Sequence, residues 1–279
     1  MGNLPFEALQ RNIVVKHKDE TDSRFGCEPH TRSIPELIQH GIINLNKPSG
    51  PTSHQVVDYV KRILDLPKAG HSGTLDPHVT GVLPIALERA TRVVQVLLTA
   101  GKEYVCLMYL HRLIDKKEIE ETFVKFSGEI TQLPPIRSAV KRQERKRNIY
   151  YIELLEMDEQ YVLFRIGCQA GTYIRKFCYD VGKFLGCGAH MAQLLRTKVG
   201  PFTDKDMITL HDLKDAYAFW KEDGDETYLR KSILPFECAV DHLGKIWIMD
   251  GAVDPLCHGA PLYVPGIVTL NDSIHKGDL

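Results

Sequence analysis

Five backbone punctuators within a short span, Gly70, Gly73, Pro77, Gly81 and Pro84, limit what this chain folds into more than any other feature. No helix runs through such a segment, because proline removes a backbone donor and glycine costs about 1 kcal/mol per helical position. Gly70 to Leu87 therefore reads as one loop. Before it, Val56, Val57, Val60, Ile63 and Leu64 share one helical face, with a cap at Thr52 or Ser53 and a stop at Pro67.

Strand and helix signals follow on both sides. Ile42 to Leu45 and Glu103 to Leu110 read as strands, and Ile149–Met157 with Val162–Cys168 reads as a hairpin turning at Asp158–Gln160. Asp115 caps a helix over Lys116–Phe126 that Gly128 closes, and helical spacing predicts further helices over Ala90–Leu98, Tyr173–Leu185 and near Met191–Leu195. Thr209 with Asp212 has the form of a capping box before a helix over Leu210–Trp220. After Asp241 short strands at Ile246–Met249, Tyr263–Val264 and Ile267–Leu270 alternate with Gly/Pro turns, and Asn12–Val15 reads as another strand. The fold class is α+β: a mixed, largely antiparallel sheet with flanking helices and a central cleft, plus a partial β-rich module.

Composition narrows the function classes. Charge nearly cancels, with 35 Lys and Arg against 36 Asp and Glu, so net charge neither advertises nor excludes a nucleic-acid partner. No run approaches the ~18 continuous apolar residues of a membrane span, and Met1 to Ile13 is not read as a secretory signal. Seven cysteines with no Cys-x-x-Cys pair argue against a disulfide framework and a zinc ribbon, which points to reduced thiols and the cytoplasm.

Chemistry concentrates at Gly70-His71-Ser72-Gly73-Thr74-Leu75-Asp76-Pro77. Proline disfavours the α region for Asp76, and the glycines admit tight turns and a close partner, so a carboxylate would be presented outward. An ordinary Asp-Pro turn explains the same residues. His71 and His78 flank Asp76 at a spacing that matches no helical or knuckle ligand pattern, so no metal site is read here. Ala100-Gly101-Lys102-Glu103 fails as a phosphate loop, since Val96 and Glu103 stand where a glycine and a Ser/Thr are needed.

Two basic regions stand against an acidic one. Arg137, Lys141, Arg142, Arg145, Lys146 and Arg147 face one acid, Glu144, and would suit a phosphate backbone or a solvated loop. Arg175, Lys176, Lys183, Arg196 and Lys198 carry only Asp180 in opposition, which suggests one positive face. Phe202 to Asp241 holds ten acidic residues against five basic ones.

Taken in order, these segments resemble the motifs of TruB-type RNA pseudouridine synthases. The loop 70–77 with Thr80-Gly81-Val82-Leu83-Pro84 is similar to the family's catalytic motif, and Lys47-Pro48-Ser49-Gly50-Pro51-Thr52-Ser53 to its upstream motif. Lys102-Glu103-Tyr104 resembles the strand with the active-site tyrosine. Gly171-Thr172-Tyr173-Ile174-Arg175 resembles the arginine motif, and Leu194 to Phe202 the last core motif. The likeness spans about Gly41 to Phe202. Gly41 to Leu45, Arg137 to Arg142 and Gly188 to Met191 make it most similar to the archaeal dyskerin-type enzyme of H/ACA ribonucleoproteins. Asp254 to Gly266 resembles the start of a PUA domain that ends at Leu279 before the family's closing strands. The implied division is a catalytic domain over 25–241 and a PUA-like RNA-binding module over 242–279, joined by a strand from 11–24.

The resemblance implies isomerisation of uridine to pseudouridine in RNA, without metal, redox group or other cofactor. Asp76 becomes the catalytic carboxylate, acting on the ribose by attack at C1′ or by abstracting the C2′ proton. Arg175 becomes its cationic partner in a buried cleft, paired through both guanidinium arms. Tyr104 stacks on the flipped uracil and is a candidate for proton transfer at C5. Leu195 walls the base pocket, His71 holds the flipped nucleotide, Tyr173 packs beside the site, and Lys47 supports the loop. Arg142, Arg145, Lys146 and Arg147 would grip RNA. The implied partners are an H/ACA guide RNA, a target rRNA or tRNA and the small H/ACA proteins, with no membrane. A stand-alone tRNA T-arm enzyme, a non-catalytic RNA scaffold and, last, a glycoside hydrolase remain as alternatives.

Overall fold

The computed structural model describes residues 2–134 and 143–278. Ten strands form one sheet. In chain order its main members are β2 (Gly41–Lys47), β3 (Ala69–His71), β4 (Thr80–Leu87), β5 (Lys102–Leu110), β6 (Gly128–Gln132), β7 (Arg145–Asp158), β8 (Tyr161–Cys168) and β9 (Ala189–Val199). The short β10 (Phe202–Thr203) and β11 (Leu234–Pro235) complete it. The order across the sheet is β11-β2-β4-β9-β5-β8-β7-β6, with β3 on β4 and β10 on β9. Pairing is antiparallel except where β4 meets β9 in parallel, Thr80 opposite Leu195 and Gly81 opposite Arg196.

Alternation along the strands sorts the cores. Ile43, Leu45, Leu83, Ile85 and Leu87 face the helices α1 (Ile34–Gln39), α2 (Ser53–Leu64) and α6 (Leu210–Asp223). Ile42, Val82 and Ala86 point the other way, onto α3 (Val94–Thr99). At the far half Cys106, Met108, Phe164 and Ile166 pack on α4 (Lys116–Lys125) and α5 (Ile174–Phe184). Each such buried side chain stabilises the fold by about 1.5–3 kcal/mol relative to exposure. Of the two caps offered, Thr52 forms the one at α2, as a capping box with Gln55, the capping box at Thr209 forms as read, and Asp115 accepts from the Lys117 N–H. Helix α7 (Thr227–Ser232) follows α6.

Four expectations need correction. The supposed loop 70–87 ends in strand β4, with Pro84 inside it. The Pro84 carbonyl accepts from the Ser72 N–H, away from β2, so the missing proline donor also points away from the β2 ladder and costs no bond there. Met191–Leu195 is not helical but the middle of β9. Register shifts in its pairing with β5, between Glu103 and Tyr104 and between Leu107 and Met108, break the two-residue period and leave an apolar spacing that imitates a helix. Tyr263–Val264 forms no strand, and α8 (Asp250–Cys257) accommodates Pro255 in its last turn where a Gly/Pro turn was expected. Residues 145–147 belong to β7, not to a loop, paired with the unanticipated β6.

A second sheet has three strands, β1 (Ile13–Val15), β13 (Ile267–Asn271) and β12 (Ile246–Ile248), in the order β1-β13-β12. All seven cysteines are free thiols. Among the described residues no helix is long and apolar enough to cross a membrane.

Candidate active site

The segment between β3 and β4 is held from both sides, so its carboxylate points out. Lys47, fully buried at the end of β2, donates from Nζ to the carbonyls of Pro48 and Pro77, each at 2.8 Å, and of Val79 at 3.0 Å. Three acceptors take the three protons of an ammonium. Burial pushes its pKa down, and the Asp76 carboxylate opposes that shift. At the first turn of α2 the Ser53 Oγ accepts from the Leu75 N–H at 2.9 Å and donates to the Leu75 carbonyl at 3.1 Å. The Gly50 N–H donates to the Pro77 carbonyl. Leu75 and Val79 are buried in the core, and Asp76 between them is exposed.

Asp76 meets Arg175 on the first turn of α5. The Arg175 Nη2 donates to Oδ2 at 2.5 Å, with side chains 59% and 52% exposed. Two expectations change here. The pair uses one arm of the guanidinium rather than two, and it lies at the surface rather than in a buried cleft. Among the described residues Asp76 Oδ1 accepts no hydrogen bond, so one carboxylate oxygen faces outward unengaged. Ile174, Phe177, Cys178 and Val181 anchor α5 in the core, which leaves Arg175 on the outer face. Tyr173, the residue before α5, is half-buried, and its backbone is bonded in both directions by the Gln132 amide.

Beneath the loop lies a buried polar pair. Tyr104 on β5 stands opposite Arg196 on β9, where the guanidinium acts electrostatically on the phenol. Arg196 is almost fully buried, donating from Nε to the Val82 carbonyl at 2.7 Å and from Nη2 to the Gly73 carbonyl at 3.2 Å. Burial pushes the Tyr104 phenol up, with the Arg196 cation opposing, so the phenol keeps its proton at neutral pH. Burial likewise lowers the Arg196 pKa, with Tyr104 opposing. Leu195, half-buried, reaches this floor because β4 and β9 touch at Gly81. That glycine has φ +105°, and a Cβ there would sit 2.2 Å from the Arg196 carbonyl and 2.8 Å from Leu195 Cδ1.

His71 is half-buried at the entrance to the loop. Its Nδ1 accepts from the Gly73 N–H at 3.2 Å, which assigns its proton to Nε2. Its ring packs edge-to-face on His54, centroids 5.0 Å apart. Burial first, then the neighbouring His54 and Arg196, lowers its pKa to about 4. The imidazole is therefore neutral at physiological pH, a hydrogen-bond donor and not a cation.

The basic readings divide. Arg142 lies outside the described residues. Arg145, Lys146 and Arg147 stand on β7 opposite Gln132, Thr131 and Ile130. Lys146 pairs with Glu129 at 2.8 Å, and Arg147 Nη1 donates to the Lys146 carbonyl. The second cluster does not make one positive face. Arg196 is buried, Lys198 pairs with Glu7 at 2.7 Å, and Lys176 pairs with Asp180. Ser53, Gln132 and the buried role of Arg196 were not anticipated. A charged residue flanked by Leu194, Leu195 and Thr197 in a strand is the one signal that could have moved Arg196 inward.

An exposed carboxylate on a braced loop above a buried Tyr–Arg floor on a mixed sheet is the geometry of the site, and comparison with known proteins gives its class, the RNA pseudouridine synthases. The model of the TruB family pseudouridylate synthase N-terminal domain matches residues 61–174, and that of the tRNA pseudouridylate synthase B C-terminal domain matches 175–241. A DKCLD (NUC011) domain matches 3–57 and a PUA domain 244–279. The chain belongs to the TruB family of pseudouridylate synthases. It is similar to the probable tRNA pseudouridine synthase B of Methanopyrus kandleri, 57% identical over 99% of this chain and 81% of that protein. The like-named protein of Pyrococcus abyssi is 59% identical over 99% of this chain and 83% of its own length. A crystal structure of a Cbf5–Nop10–Gar1 complex superposes with a TM-score of 0.94 at 56% identity, covering 99% of this chain and 84% of that one. The structure of an H/ACA RNP bound to a substrate RNA containing 2′-deoxyuridine matches with a TM-score of 0.92 at 52% identity, covering 99% and 85%.

Proposed function

We propose that this chain isomerises uridine to pseudouridine in RNA, with Asp76 as the catalytic carboxylate, as the catalytic subunit of an H/ACA ribonucleoprotein directed by a guide RNA. The observation that carries the reading is the 2.5 Å Arg175–Asp76 bond on a loop that Lys47 and Ser53 hold from behind. The reaction breaks the N1–C1′ bond, turns the base and joins C5 to C1′. The C5 proton leaves and N1 regains one, so no atom is lost overall.

In this reading the target nucleotide is flipped out of its duplex at a cost of a few kcal/mol. Asp76 Oδ1 faces the ribose while Arg175 holds the carboxylate in place through Oδ2. Tyr104, holding its proton, supports the uracil with its ring, and transfer of the C5 proton through its oxygen relies on the Arg196 cation. Leu195 walls the base pocket. His71 offers its Nε2–H to the flipped nucleotide, with Tyr173 beside it and Lys47 as structural support. Arg142, Arg145, Lys146 and Arg147 contact the RNA backbone. Residues 25–241 act as the catalytic unit. Residues 242–279, with a strand from 11–24, act as a second RNA-binding unit, a division supported by the pairing of β1 with β13.

Solved neighbours in a complex with Nop10 and Gar1 and in an H/ACA RNP bound to a substrate RNA favour guided action with those small proteins as partners. The relatives named as tRNA enzymes favour a second reading, direct action on tRNA. Free cysteines, three of them buried, support a reducing, cytoplasmic setting. Tritium release from 5-tritiated uridine tests the reading, comparing the wild type with Asp76→Asn in the presence of guide and partner proteins. Guide-dependent release that vanishes in the mutant is expected. Release from the mutant overturns the role of Asp76, and release from bare tRNA without guide selects the second reading.

A further inference from the structure

Gln132 closes strand β6 with its side chain buried, only 2% of the residue being exposed. Its amide makes no bond within the sheet ladder. Instead Oε1 accepts from the Tyr173 N–H at 3.0 Å and Nε2 donates to the Tyr173 carbonyl at 3.2 Å. Tyr173 is the residue before α5, and Arg175 is the second residue of that helix. A buried side chain thus fixes both backbone groups of the residue from which the helix bearing the Asp76 partner starts.

The same turn is gripped from the ribbon β6–β7 at two more points. The Gln169 N–H donates to the Asn148 carbonyl at 2.8 Å, and the Asn148 N–H donates to Gln169 Oε1 at 3.1 Å. Gly171, with φ +79°, lies against the Arg147 guanidinium, 3.2 Å from where its Cβ would be. Arg145 stands opposite Gln132 in the β6–β7 register. The basic strand and the start of α5 are therefore one mechanical unit, and Gln132 is its innermost link.

We propose that Gln132 is a positioning residue for the reaction: through the backbone of Tyr173 it sets where the Arg175 guanidinium meets Asp76. The proposal rests on the function given above, with Asp76 and Arg175 in the catalytic pair. Gln132 touches neither substrate nor carboxylate; it acts through the first turn of α5. Losing its amide leaves the Tyr173 N–H without its buried partner and the Tyr173 carbonyl with only the helical bond from the Phe177 N–H, and that turn then re-seats. A displacement of about 1 Å in a catalytic group is enough to cost ~100-fold in rate.

The test is single-turnover pseudouridine formation by the assembled complex, with guide RNA and saturating enzyme, beside RNA affinity measured separately. Gln132→Leu is expected to slow the chemical step by about 10- to 100-fold while leaving the Kd for RNA within about twofold. Because Gln132 acts through Arg175, Arg175→Ala in the Gln132→Leu background is expected to cost much less than in the wild type. Gln132→Glu, which keeps the acceptor for the Tyr173 N–H, is expected to retain part of the rate, and it decides the matter if the leucine variant fails to fold. A chemical step at the wild-type rate in a folded Gln132 variant overturns the proposal. So does fully additive loss with Arg175→Ala, or a loss confined to affinity. If Asp76→Asn is inactive while Gln132→Leu is fully active, only this inference falls; an active Asp76→Asn brings down the reading on which it rests.

Discussion

The Nζ of Lys47 lies 2.8 Å from the Pro77 carbonyl, so the residue after the candidate nucleophile is tied to the buried end of β2. The same nitrogen holds Pro48 and Val79, and one cation thereby joins three points of two separate turns. A neutral side chain there would take this donor from the Pro48 and Val79 carbonyls and leave the Pro77 carbonyl with the Gly50 N–H alone.

Lys47→Met is accordingly expected to destabilise the protein by about 2–4 kcal/mol, since each buried carbonyl without a donor costs about 1–3 kcal/mol and relaxation recovers part of the sum. Guanidinium chloride unfolding reads the stability. Activity is expected to fall with it even at temperatures where the variant is folded, because the loop bearing Asp76 loses its rear support.

Arg175→Lys keeps the charge and loses the planar fork. The observed bond uses one guanidinium nitrogen, so a lysine could replace its charge but not its reach or direction. A fall of about 10- to 100-fold in the single-turnover rate is expected, with RNA affinity little changed. Full activity in this variant would show that charge alone suffices.

Gly81→Ala places a methyl group 2.2 Å from the Arg196 carbonyl, at a backbone φ of +105° that L residues rarely adopt. Strain at such a position costs about 1–3 kcal/mol before any clash is counted. A melting temperature lower by at least several degrees is expected, together with loss of the β4–β9 contact in amide exchange.

His71 supplies a pH dependence. Its folded pKa of about 4 lies below the ordinary 6.5, so between these values the unfolded chain binds more protons than the folded one. The stability it contributes is complete above pH 6.5 and is lost as pH falls toward 4. Denaturation midpoints across pH 4–7 should therefore fall more steeply for the wild type than for His71→Gln. Parallel curves would mean that His71 titrates normally.

Local signals were legible where one element could state its own case. The Thr52 and Asp115 caps, the amphipathic faces of α2 and α5 and the alternation of β5 all follow from neighbours within a few positions. Asp76, Tyr104 and Arg175 were singled out because ordered motifs pointed to them. The misreadings arose where partners lie far along the chain. Pro84 sits in a strand because its bare nitrogen points away from β2, and Met191 to Leu195 joins the sheet because β5 offers a ladder to which β9 fits by bulging. Arg196 looked like surface charge until the Val82 and Gly73 carbonyls supplied its partners. Gln132 carried no sequence signal, since its function is spent on the backbone of a residue 41 positions away.

The pairing of β1 with β13, Ile13 opposite Asn271, sets an order of events during synthesis. The large sheet has all its strands once β11 is made, whereas β1 waits for a partner more than 250 residues downstream. At synthesis rates of about 5–20 residues per second the nascent chain carries Ile13, Val14 and Val15 unpaired for roughly ten seconds or more. An unpaired apolar strand is a template for the wrong neighbour. The small sheet thus closes after the large one, and its waiting strand is what a chaperone would have to shield.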